Sequence, residues 1–131
     1  MKKKKLKMML LFFIMCLAAT TILAQNIQDF PKGKLIEKVS CLSAPEFSYV
    51  LYLPSNYSDQ KKWPVLFCFD PRAHGNVPAE LFESAAEKYG YIIMSSNNSG
   101  SDDASIPNAQ AMQEMYDDAF KRFAIDEKRL Y

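Results

Sequence analysis

From Glu46 to Leu53 the chain alternates. Phe47, Tyr49, Leu51 and Leu53 fall on one side, and Ser48, Val50 and Tyr52 on the other. A period of two, rich in β-branched and aromatic residues and stopped by Pro54, predicts a strand. Gly33 to Leu42 mixes Leu35, Ile36 and Val39 with charged residues and reads as an earlier strand. The short Ser43-Ala44-Pro45 connection makes the two a hairpin. Trp63 to Phe69 is continuously apolar, which suits a strand covered on both faces in a parallel sheet. Turn chemistry follows from Asp70 to Asn76, and Pro78 fits the first turn of a helix. Phe82, Ala85, Ala86 and Tyr89 form the apolar face of that helix, and Gly90 closes it. Tyr91 to Met94 is another short apolar strand. From Asn108 onward, Met112, Met115, Tyr116, Ala119, Phe120 and Phe123 make one stripe at helical spacing. Glu114, Asp117, Asp118, Lys121 and Arg122 lie opposite, and two pairs four apart, Asp117 with Lys121 and Asp118 with Arg122, predict ion pairs on a polar face. Arg129-Leu130-Tyr131 reads as the beginning of one more strand. The order predicts an α/β fold, with a mostly parallel sheet, an N-terminal antiparallel hairpin and flanking helices.

The ends of the charge distribution change the picture. The 131 residues are 49% hydrophobic and 24% charged, with a formal net charge of +1. Such a composition excludes a disordered tail, a collagen-like repeat and a disulfide-dense miniprotein. Five of the 16 basic residues are Lys2, Lys3, Lys4, Lys5 and Lys7, and residues 1–24 hold no acid. Their basic start, the apolar run from Met8 and the small Ala24 before Gln25 read as a secretory signal cut after Ala24. The alternative is an uncleaved anchor, because Met8 to Ala24 is about 17 residues, at the short limit of a span. Phe13-Ile14-Met15 are too bulky for a lipoprotein signal at Cys16. Removing residues 1–24 leaves 11 basic and 15 acidic groups, a net of −4. That balance speaks against a nucleic-acid partner. Residues 25–32 read as a linker and 33–131 as the folded portion, exported to a periplasmic or extracellular location of a bacterial type. Export permits disulfides, so Cys41 and Cys68 either pair or stay as thiols, with Cys68 reading as a buried thiol inside its apolar run. One His and no CxxC leave no Cys/His zinc site.

Several phrases, in order, are similar to the N-terminal half of a secreted α/β-hydrolase. They are Tyr49-Val50-Leu51-Tyr52-Leu53-Pro54-Ser55-Asn56-Tyr57, Trp63-Pro64-Val65-Leu66-Phe67-Cys68-Phe69-Asp70-Pro71 and Ala85-Ala86-Glu87-Lys88-Tyr89-Gly90-Tyr91-Ile92-Ile93. Ser96-Asn97-Asn98-Ser99 and Asp126-Glu127-Lys128-Arg129-Leu130-Tyr131 continue the series. Esterases that resemble polyhydroxybutyrate depolymerases and feruloyl esterases carry comparable phrases. The resemblance covers Ser48 to Tyr131. It implies an exported serine esterase that hydrolyses a small or extracellular ester through an acyl-enzyme. It implies no cofactor and no metal. It places the strand Trp63–Phe69 between the strand at Tyr91 and the one that Tyr131 only begins. The family's nucleophile elbow, Gly-x-Ser-x-Gly, would follow Tyr131, with the acid and His later still. The 131 residues contain no such string, so the resemblance implies a chain truncated before its nucleophile and inactive alone.

What remains is a set of loop candidates. The catalytic His of the family follows its Ser, so the resemblance gives His74 no catalytic role. The turn after the central strand supplies one backbone donor of the oxyanion hole in that family. Pro71 has no N–H, which leaves Arg72 and Ala73 as donors, with Gly75 permitting the tight turn. The other reading is an ordinary β–α turn with a solvated His74. Asn97 and Asn98 stand at the carboxyl end of a strand, where they either meet substrate or satisfy their own turn. Asp102 and Asp103 read as solvated. A non-catalytic truncated product or a small secreted binding domain is the alternative function. Left without its outer neighbour, Trp63–Phe69 would present an open apolar edge, and self-association of the chain would follow.

Overall fold

The computed structural model describes residues 29–101 and 103–131. The secretory signal, the Ala24–Gln25 cleavage site, Cys16 and Asp102 lie outside the described residues. Seven elements follow in chain order: β1 (Leu35–Ser40), β2 (Ser48–Tyr52), β3 (Trp63–Cys68), α1 (Asn76–Tyr89), β4 (Ile92–Ser96), α2 (Asn108–Arg122) and β5 (Ile125–Leu130). They form a mixed α/β fold, one five-stranded sheet in the order β1-β2-β4-β3-β5 with two helices. β1 with β2 and β2 with β4 are antiparallel, whereas β4 with β3 and β3 with β5 are parallel. The chain leaves β3 toward β4 and then returns past β3 to β5. Crossovers of one hand that travel in opposite directions must lie on opposite faces. Accordingly α1 packs on one face and α2 on the other.

The alternation of β2 is used on both faces. Phe47, Tyr49, Leu51 and Leu53 join Trp63, Val65, Ile92 and Met94 beneath Ala111, Met115 and Ala119 of α2. Val50 and Tyr52 join Cys68 and Ile93 beneath Ala79 and Ala86 of α1. The helices dock through part of the predicted faces: Ala86, Met115, Ala119 and Phe123 are buried as the spacing suggested, joined by Ala79 and Ala111. In α1 only Ala79 and Ala86 are buried, while Phe82 is partly open and Tyr89 is 66% exposed. In α2 the inward face is Ala111, Met115, Asp118 and Ala119, and Met112 is 51% exposed. Small side chains let each helix approach the sheet closely. Of the larger ones, Phe82 and Tyr89 on one face and Met112 and Tyr116 on the other line apolar grooves that reach Tyr131, just past β5. Gly90 ends α1 with a left-handed φ of 73° and donates its N–H to the Ala86 carbonyl at 2.9 Å, as the sequence suggested.

Two expectations about the edges change. Phe30, within the segment read as a linker, is buried against the Phe123 ring with centroids 5.8 Å apart. The strand expected to begin at Arg129 begins instead at Ile125 and closes the outer side of β3. The ground for self-association therefore falls away, because the β3 ladder is not open. Pairing jumps from Trp63–Ile125 to Val65–Leu130, so Asp126 to Arg129 bulge from the ladder. Asp126 holds the bulge by accepting the Lys128 N–H at 3.0 Å and the Arg129 Nε at 2.7 Å. Bulges and charges on an outer strand oppose edge pairing.

Cys41 and Cys68 are both free and buried, and they belong to opposite faces of the sheet. The bridge left open by the sequence is not formed. Burial first, then the neighbouring charges of Asp118 and Glu114, push the Cys41 thiol up to about 12. Burial pushes Cys68 up to about 11. The thiolate is the reactive form, so in protein lacking residues 1–24 neither thiol should react with an aromatic disulfide reagent at neutral pH until denaturant is added. Rapid reaction of the native protein would contradict this placement.

Candidate functional site

Strand order reverses at β3, and open α/β sheets place ligands beyond the carboxyl ends of their strands at such a reversal. Two loops meet there. The first, Phe69 to Gly75, is organised by Asp70. Its Oδ1 accepts the Arg72 N–H at 2.8 Å and the His74 N–H at 3.2 Å, and its carbonyl accepts the Ala73 N–H at 3.1 Å. These backbone donors, Arg72 before His74, hold the Asp70 carboxyl below its usual range. Ala73 takes a φ of 58°, a left-handed conformation that an alanine adopts at a cost. Both backbone donors read as oxyanion candidates, Arg72 and Ala73, are thus occupied by Asp70. His74 is exposed.

Gly75 is needed for a reason other than turn flexibility. Its φ is −57°, which any residue adopts. A Cβ there would stand 2.5 Å from Asn97 Oδ1, 2.8 Å from the Ser95 carbonyl and 2.9 Å from the Ser96 carbonyl. The glycine lets the start of α1 lie directly on the end of β4, and so joins the first loop to the second. Ser101 adds a bond, its N–H donating to the Pro71 carbonyl at 2.9 Å.

The second loop, Asn97 to Ser101, is tied inward. Asn97 Nδ2 donates to the Glu37 carbonyl at 3.1 Å and to Ser48 Oγ at 3.4 Å. Asn98 Oδ1 accepts the Ser48 N–H at 2.7 Å, and its Nδ2 donates to the Glu46 carbonyl at 3.3 Å. Both carboxamides fasten the end of β4 to β1 and β2, across the sheet from the reversal. Asn108 pins the far side of the loop, bonding the Gly100 N–H at 2.8 Å and the Gly100 carbonyl at 2.9 Å. Between the two loops and the first turns of α2 lies a groove of about 340 Å³, with Phe69, Pro71, Ala109 and Met112 as its apolar wall. Asp103 stays outside it and accepts the Ser105 Oγ at 2.7 Å and the Ser105 N–H at 2.8 Å. Ser105, hydroxyl first, lowers the Asp103 pKa. Among the described residues no group of His, Cys, Asp or Glu is placed to hold a metal ion.

The residues that sequence reasoning missed are the clamps on β2. Asp118, 2% exposed, accepts the Tyr49 hydroxyl at 2.6 Å, the Leu42 N–H at 2.8 Å and Arg122 Nε at 2.8 Å. Burial first, then the Asp118 hydrogen bond, raises the Tyr49 pKa and keeps the phenol a donor. On the other face Glu87 accepts the Tyr52 hydroxyl at 2.6 Å, the Ser55 N–H at 2.9 Å and the Ser55 hydroxyl. One strand thus sends one tyrosine to each helix, and each carboxylate also holds a backbone N–H flanking that strand. The expected Asp118–Arg122 pair forms, but in the core. Asp117 and Lys121 turn to Gln113 and to Ser43 Oγ instead, at 2.8 and 2.7 Å. The i,i+4 spacing was the visible signal for Asp118, but it could not show on which side of the helix the pair lay.

The Ser55 hydroxyl first, then Tyr52, lowers the Glu87 pKa. A carboxylate depressed in the folded state stabilises above its unfolded pKa, and that contribution is lost as pH falls through the folded value. Acid titration of stability should therefore be shallower in Glu87→Gln than in the parent. Identical urea midpoints against pH for the two proteins would contradict the clamp.

The chain matches none of the protein-family models, and comparison with curated proteins finds no match.

Proposed function

We propose that this chain is the N-terminal portion of an exported serine esterase of α/β-hydrolase type, acting on a small or extracellular ester. The observation that carries the reading is the placement of β3 between β4 and β5, with an antiparallel hairpin beyond β4. Those are the neighbours that the resemblance assigns to that strand. The ordered phrases from Tyr49 to Tyr131 support it further. In this reading acyl transfer to water runs through a serine ester. The nucleophile elbow follows β5, and the acid and His come after it. The turn from Asp70 to Gly75 contributes one oxyanion donor once Asp70 releases the Arg72 or Ala73 N–H. Phe69 and Met112 would border the substrate, and neither nucleic acid nor a cofactor takes part.

The purified 131-residue product should give no turnover of a p-nitrophenyl ester above the buffer rate. Turnover by that product would overturn the assignment of the chemistry to residues beyond Tyr131. A second reading, a non-catalytic product or secreted binding domain, is favoured by one observation. Both candidate donors and both asparagines are already committed within the fold. A reading frame that continues past the Tyr131 codon into a glycine-flanked serine separates the two in favour of the enzyme.

A further inference from the structure

We draw no further inference here: the strongest candidate, the pair of apolar grooves that flank β5 on the two faces of the sheet and meet at Tyr131, is an unpartnered surface, and nothing in the structure shows what covers it.

Discussion

Asp118→Ala should lower the stability of the protein by about 3–5 kcal/mol, the usual cost of removing one partner from a buried ion pair. The substitution does more than break the bond to Arg122. It leaves the buried Tyr49 hydroxyl and the part-buried Leu42 N–H without their acceptor. Each buried donor left unsatisfied costs about 1–3 kcal/mol. A domain of this size has roughly 5–15 kcal/mol in total, so denaturant midpoints should fall steeply. Tyr49→Phe should cost less, about 1–3 kcal/mol, because Asp118 keeps Arg122 and the Leu42 N–H. In the double variant the two losses should not add, since they share one bond. Asp117→Ala, on the same helix with its side chain bonded to Gln113 among the described residues, is the comparison that isolates burial. An Asp118→Ala protein within about 0.5 kcal/mol of the parent, the range of neutral surface changes, would refute the clamp.

Gly75→Ala is the second large effect. A single added methyl would meet two backbone carbonyls of β4 at 2.8 and 2.9 Å, and backbone cannot swing aside as a side chain does. Overpacking costs typically 1–3 kcal/mol, and we expect about 3 kcal/mol here because the obstacle is the sheet itself. The loss should be local in origin. Amide exchange should rise first in the Asp70–Gly75 turn and in Asn97–Ser101, the two segments that the glycine brings together. A variant of undiminished stability, with unchanged exchange in both loops, would show that α1 does not rest on the end of β4.

Much of the fold was legible because strands announce their faces. The period of two in Phe47–Leu53 assigned each side chain correctly, since β2 is buried on both faces and neither set could slip to solvent. The apolar run Trp63–Phe69 announced a central parallel strand for the same reason. The helices were less legible. Ala86, Met115 and Ala119 make the contact as the spacing predicted, but Phe82, Tyr89, Met112 and Tyr116 stay exposed while Ala79 and Ala111, which the spacing did not single out, are buried. Close packing of helix on sheet rewards small side chains, and hydrophobicity alone does not register that. The last strand is legible only from Arg129 because Asp126 to Arg129 are charged and bulge from the ladder.

The candidate site divides along similar lines. The turn after β3 and the loop after β4 were located from Gly, Pro and Asn, which mark turns whatever their purpose. Their internal bonding was not visible. Nothing in Asp70-Pro71-Arg72-Ala73 says that the Asp70 carboxylate takes two N–H groups and its carbonyl a third. Nor does Asn97-Asn98 reveal partners some fifty to sixty positions away. Those partners come from the antiparallel pairing of β2 with β4, a long-range fact. Asp118 is the clearest case. Its residue type argued for the surface, and the donors its carboxylate accepts, the Tyr49 hydroxyl and the Leu42 N–H, are supplied by a hairpin about seventy positions earlier.

The central claim, an esterase whose nucleophile follows β5, is tested most directly by covalent labelling. The protein translated from the whole reading frame containing this segment would be treated with a fluorophosphonate and the labelled peptide sequenced. The account predicts one modified serine, flanked by glycines and lying just after Leu130-Tyr131, with no label on His74 or on any residue up to Tyr131. A label within the 131 residues, or a whole-frame protein that folds yet takes none, would contradict it.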